Sequence, residues 1–99
     1  ALIEKDTVLI ALATQPSVAQ KTISNILETV ARGAKVILIA SQSQNTEGFE
    51  YVIRIPDVDP LLSCIPATVL LQELAYYVAK EKGCDVDKPR NLAKSVTVE

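Results

Sequence analysis

Two short runs, Val8 to Ala13 (Val-Leu-Ile-Ala-Leu-Ala) and Val36 to Ala40 (Val-Ile-Leu-Ile-Ala), contain no polar residue and are flanked by polar ones. Strands covered on both faces in a parallel sheet have this pattern, whereas half-buried strands alternate. Between the two runs, Ala19, Ile23, Ile26, Leu27 and Val30 recur at helical spacing, with Gln20, Lys21, Asn25 and Glu28 facing outward. Pro16 suits a first helical turn and Ser17 with Gln20 has capping-box spacing, so the helix is expected to begin there and to stop at Gly33. Strand, helix and strand then make a βαβ unit with a right-handed crossover.

Ser41 to Glu50 is polar and helix-poor and reads as a loop at the carboxyl edge of the sheet. Tyr51 to Ile55 alternates, with Tyr51, Ile53 and Ile55 on one face and Val52 and Arg54 on the other. A charged residue inside so short a strand suits an edge position, and Pro56 ends the strand. From Leu61 to about Lys82 the chain is apolar again at helical spacing. Leu62, Ile65 and Val69 lie on one face and Leu71, Leu74, Ala75 and Val78 on another, too wide a surface for a helix packed on one side only. Pro66 near the start marks a kink or a late beginning. The order β-α-β-β-α-tail gives an α/β fold: the last three strands of a five-stranded flavodoxin-like parallel sheet, part of a three-layer α/β/α arrangement with two helices. In the strand order 2-1-3-4-5, Val8 to Ala13 is left with an unpaired edge, so the isolated chain is expected to be a homo-oligomer or to cover that edge in another way.

The last stretch, Asp85 to Glu99, has no helical stripe, and its Pro89 drives Lys88 out of the helical region, so it reads as an extended tail. Leu92, Val96 and Val98 imply that the tail docks on something. Residues 1–84 and 85–99 thus form two segments, a body and a tail. A net charge of -2, from 10 basic and 12 acidic residues, gives no basic footprint for nucleic acid. No uninterrupted apolar run spans a bilayer and no secretory leader pattern is present, so no membrane partner and a cytoplasmic location are expected. The start at Ala1 fits a piece of a longer protein, although loss of an initiator Met before Ala gives the same start. Cys64 and Cys84 fall near opposite ends of one predicted helix, roughly 30 Å apart, and cannot bridge each other. With no histidine and no Cys-x-x-Cys, no metal site is expected; Asp85 and Asp87 suit turn hydrogen bonds better than metal ligation.

The string Asp85-Val86-Asp87, then Pro89-Arg90-Asn91-Leu92-Ala93-Lys94-Ser95-Val96-Thr97-Val98-Glu99, preceded by Leu71-Gln72 and Leu74-Ala75-Tyr76, resembles the carboxyl end of the glucosamine-6-phosphate synthases, the glutamine:fructose-6-phosphate amidotransferases. The likeness extends over the whole chain, which matches the second half of that family's second sugar-isomerase (SIS) domain. Leu70 stands where the family often has Pro, and Glu73 where it often has an apolar residue. These departures touch the helix surface, not the fold.

The resemblance implies that the parent reaction moves glutamine-derived ammonia onto fructose 6-phosphate and isomerises the product to glucosamine 6-phosphate, with no organic cofactor. From spacing alone Lys94 is a solvated surface lysine; the resemblance makes it the catalytic amine that opens the sugar ring through a Schiff base at C2. Such an amine must be neutral when it attacks, and enclosure under a folded tail eases its deprotonation. Ala93 is implied to line the sugar site through its backbone, and Val96 to anchor the tail near the ammonia passage. Arg90 is expected to pair with Asp85 or Asp87 rather than to hold phosphate. The family's phosphate loop, proton-transferring glutamate, Lys-His-Gly-Pro histidine and glutamine-hydrolysing cysteine all precede Ala1, so the missing amino-terminal part of the enzyme is an implied partner and the chain alone is expected to be inactive. Two other readings stay open on the residues: a non-catalytic SIS module that binds a sugar phosphate, and an SIS deglycase or isomerase without a glutaminase domain. The lysine-bearing tail speaks against the first.

Overall fold

The computed structural model describes residues 2–88 and 90. Among them the order is β1 (Val8–Ala13), α1 (Pro16–Ala31), β2 (Lys35–Ser41), β3 (Tyr51–Ile55), a short 3-10 turn at Pro60–Leu62, and α2 (Cys64–Glu81). The chain divides into two compact units, Ala1–Ala67 and Thr68–Glu99. In the first unit the strands form a parallel sheet in the order β1-β2-β3. Val8 aligns with Lys35 and Ala13 with Ala40, while Ile37 aligns with Tyr51 and Ser41 with Ile55. The all-apolar runs are therefore parallel strands, β3 lies at an edge as its Arg54 suggests, and the other edge of β1 has no neighbour among the described residues.

The alternation of the strands splits their side chains between two faces. On one face Ala11, Ala13, Val36, Leu38 and Ala40 pack with Ala19 and Ile26 of α1, and Leu9, Ile23, Val30, Phe49 and Val52 extend the cluster. Small residues on β1 admit the helix closely, and Leu38 fills the centre with none of its surface exposed. On the opposite face Ile39 and Ile55 are buried, but Val8, Ile10, Leu12 and Tyr51 remain exposed.

The start of α1 differs from the expected capping box. Pro16 occupies the first helical position, so the cap falls on Gln15, which accepts from the Ala19 N–H at 2.8 Å through its backbone oxygen. Ser17 is then already inside the helix, and no side chain caps it. Gly33 ends α1 with φ of 92°, a left-handed conformation that favours glycine, and an added Cβ would approach the Lys5 Cα to 3.3 Å. Next to this turn, Asp6 and Lys35 form an exposed ion pair at 3.0 Å; its hydrogen bond and charge raise the Lys35 ammonium above its ordinary pKa.

Pro66 marks a late start rather than a kink. The 3-10 turn is capped by Asp59, whose carboxylate accepts from the Leu61 N–H at 2.9 Å, and α2 begins only at Cys64. Pro66 therefore lies in the first turn, where a missing N–H breaks no helical bond, and the ladder opens with the Ala67 N–H donating to the Ser63 carbonyl at 3.3 Å. Leu62, Ile65, Val69, Tyr76 and Val78 are exposed on these segments. Pro60–Glu81, 22 residues that include an 18-residue window of mean hydropathy 1.4, is by length and composition long enough to cross a membrane, which amends the expectation that no segment is. That expectation counted uninterrupted apolar residues, which Gln72 and Glu73 break. Cys64 and Cys84 are both exposed, and the Cys64 thiol donates to the Leu61 carbonyl at 3.9 Å.

Candidate functional site

Parallel sheets bind ligands beyond the carboxyl ends of their strands, where the loops diverge and backbone groups are free. In the first unit that edge carries a cleft of about 340 Å³ lined by Thr14 and Pro16 after β1, Ser41 and Ser43 after β2, Ile55, Pro56, Asp57 and Val58 around the end of β3, and Pro60 and Ser63 before α2.

Its walls are tied together by side chains. The Gln15 amide donates to the Pro60 carbonyl and to Ser63 Oγ, both at 2.7 Å, joining the β1–α1 corner to the turn before α2. Ser63, only 3% exposed, donates in turn to the Pro60 carbonyl at 2.9 Å. The loop after β2 is held twice. Arg54 donates to the carbonyls of Ser41 at 2.9 Å and Gln44 at 2.6 Å and to Thr46 Oγ1 at 2.7 Å, and Asp57 Oδ1 accepts from the Ser43 backbone at 3.3 Å and hydroxyl at 2.9 Å. Arg54, expected only as an edge marker, is thus the clamp of this loop. Gln15, Asp57 and Ser63 were not singled out by pattern; their common signal is a position just past the end of a predicted strand or just before a predicted helix.

Lys94, Ala93 and Val96 lie outside the described residues. At the start of the tail, Asp85 Oδ1 accepts from the backbone N–H groups of Asp87 and Lys88, each at 3.0 Å, which is the turn use expected of this pair. Arg90 makes no ion pair with Asp85 or Asp87 among the described residues, where the ion pair is Lys35 with Asp6. Asp85 is engaged by its own turn instead.

No family model matches the chain. Among curated proteins, the glutamine–fructose-6-phosphate aminotransferase [isomerizing] of Clostridium acetobutylicum is 54% identical over 101 residues, and that of Caldanaerobacter subterraneus subsp. tengcongensis 55% identical over 101 residues. Each alignment covers 100% of this chain and 17% of the relative. The chain belongs to the glutamine–fructose-6-phosphate aminotransferase family. It spans only 17% of the length of these relatives and corresponds to their C-terminal part. The fold agrees: the C-terminal domain of glucosamine-fructose-6-phosphate aminotransferase from Francisella tularensis matches 88% of this chain and 25% of that chain, with TM-score 0.76 and 31% sequence identity. The parallel strands and helices expected from the hydrophobic pattern are those of that domain.

Proposed function

We propose that this chain is the carboxyl-terminal portion of the isomerising part of an aminotransferase that converts fructose 6-phosphate and glutamine to glucosamine 6-phosphate and glutamate. The observation that carries the reading is identity of more than half over all of the chain, tail included, to enzymes of that name. In this reading residues 1–84 form the body of the sugar-isomerase half-domain and residues 85–99 a tail over the sugar site. Lys94 condenses with the C2 carbonyl of the opened sugar, releasing water and forming an imine. Ala93 brings its backbone close to the sugar, and Val96 anchors the tail. Fructose 6-phosphate and glucosamine 6-phosphate are the small-molecule partners, the amino-terminal part of the same enzyme supplies the remaining groups, and the assembly is a cytoplasmic homo-oligomer.

A non-catalytic sugar-phosphate-binding module would have no use for a reactive amine at Lys94, and a deglycase lacks a glutamine donor; the names of the relatives favour neither. The test is Lys94→Ala in a full-length aminotransferase ending in this sequence. Glucosamine 6-phosphate formation is expected to fall by at least a thousandfold while glutamine hydrolysis stays measurable, because ring opening and hydrolysis use separate groups. Synthesis within tenfold of the parent enzyme would remove Lys94 from the reaction.

A further inference from the structure

The cleft past the ends of β1, β2 and β3 contains none of the residues to which the reaction is assigned, yet its walls are cross-tied and its lining is chemically mixed. We propose that it is a second binding site, for a neutral polyhydroxylated molecule of monosaccharide size.

Size comes first. A volume of about 340 Å³ lies at the small end of ligand pockets. The lining is apolar on one part, with Ile55, Pro16, Pro56, Val58 and Pro60, and hydroxylic on the other, with Thr14, Ser41, Ser43 and Ser63. A pyranose has the matching division, an apolar C–H face and a rim of hydroxyls; the Ser43 and Ser63 hydroxyls already donate to Asp57 and to the Pro60 carbonyl, so what they offer a ligand is an oxygen that accepts.

Charge then decides between a sugar and a sugar phosphate. Asp57 is the charged residue in the lining, and no Lys or Arg lines the cleft. Arg54, the nearby cation on β3, directs its guanidinium to Ser41, Gln44 and Thr46. A phosphate would meet a carboxylate without a compensating cation, which disfavours it. The neutral polyol gains from the same group. Asp57 Oδ1 is taken up by Ser43, and among the described residues no hydrogen bond falls on Oδ2, which remains an acceptor for ligand hydroxyls. Both bonds from Gln15 and the Arg54 clamp fix the walls without ligand, which lowers the ordering cost of binding. Ser41 and Ser43 therefore serve a hydroxyl-recognising wall.

The test is a titration of the ¹⁵N-labelled 99-residue chain with glucose and, separately, with inorganic phosphate, followed by amide chemical shifts. Glucose is expected to give saturable shifts centred on Ser43, Asp57 and Ser63, and phosphate to leave those amides unmoved. Asp57→Ala is expected to weaken glucose about tenfold, the loss of a hydrogen bond to a charged group. If Asp57→Ala loses the dispersed spectrum of the folded sheet, Asp57→Asn, which keeps an oxygen for Ser43, is expected to weaken glucose several-fold. Absence of saturable glucose shifts overturns the proposal, as does phosphate moving the same amides at equal concentration, or unchanged glucose affinity in a folded Asp57 variant. None of these outcomes depends on Lys94, so failure here leaves the proposed reaction standing.

Discussion

Leu38 and Leu12 are the same residue type on neighbouring strands, and they face opposite sides of one sheet. Leu38, fully buried in the middle of β2, packs in the α1 cluster, whereas Leu12 on β1 is 41% exposed. Truncating Leu38 to Ala removes buried methyl groups and leaves a cavity among side chains that cannot collapse, at a cost of about 3–5 kcal/mol. Leu12→Ala removes a side chain that still touches water and leaves no closed cavity, so about 1 kcal/mol is expected. A chain of this size has a total of about 5 kcal/mol, the low end of the range for small domains. With a urea dependence of about 1 kcal/mol per molar, Leu38→Ala should lower the midpoint by about 3 M or leave the chain unfolded, and Leu12→Ala should lower it by about 1 M. Urea titration of the wild-type and two variant chains, read by far-ultraviolet circular dichroism, makes the comparison. Equal losses at the two positions would refute the reasoning, because they would mean that the Leu12 face is as closely covered in solution as the α1 face.

The exposed face and the open edge of β1 lead to a second expectation. β1 carries no charge, proline or bulge to block pairing at its free edge, whereas β3 has Arg54 and is followed by Pro56. The isolated chain should associate in a concentration-dependent way by light scattering, and Ile10→Lys should reduce the association; a wild-type chain that stays monomeric at millimolar concentration would contradict this. A third expectation is that the 99-residue chain alone does not isomerise fructose 6-phosphate, since it spans 17% of its relatives and catalysis depends on positioned groups from elsewhere. Turnover by the purified chain in a coupled assay would contradict that.

The sheet was readable because uninterrupted apolar runs mark parallel strands, and Val8 to Ala13 and Val36 to Ala40 supply them; the cover expected on both faces is not met on β1, where Val8, Ile10 and Leu12 remain exposed on the face away from α1. The α1 stripe was equally clear: Ala19 and Ile26 are buried and Gln20, Lys21, Asn25 and Glu28 are exposed, as their spacing requires. Caps were less legible, because they depend on which of several polar residues wins. Ser17 has the right spacing, but Pro16 at the first helical position fixes the cap two residues earlier, at Gln15, which spends its side chain on Pro60 and Ser63 instead. The same long-range bond explains why the cleft was invisible to pattern. Gln15 and Ser63 lie 48 residues apart in sequence, and only the folded sheet brings them together. Lys94 is singled out only by resemblance and lies outside the described residues; neither its spacing nor its neighbours distinguish it from any solvated lysine.

In the proposed reaction Lys94 forms a covalent imine with the opened sugar. Borohydride reduction of a full-length enzyme ending in this sequence, in the presence of fructose 6-phosphate, followed by digestion and mass spectrometry, tests it directly. The expected result is a hexitol phosphate attached through a secondary amine to the peptide carrying Lys94, absent when substrate is omitted and absent in Lys94→Ala. Substrate-dependent modification of another lysine, with Lys94 untouched, would contradict the account.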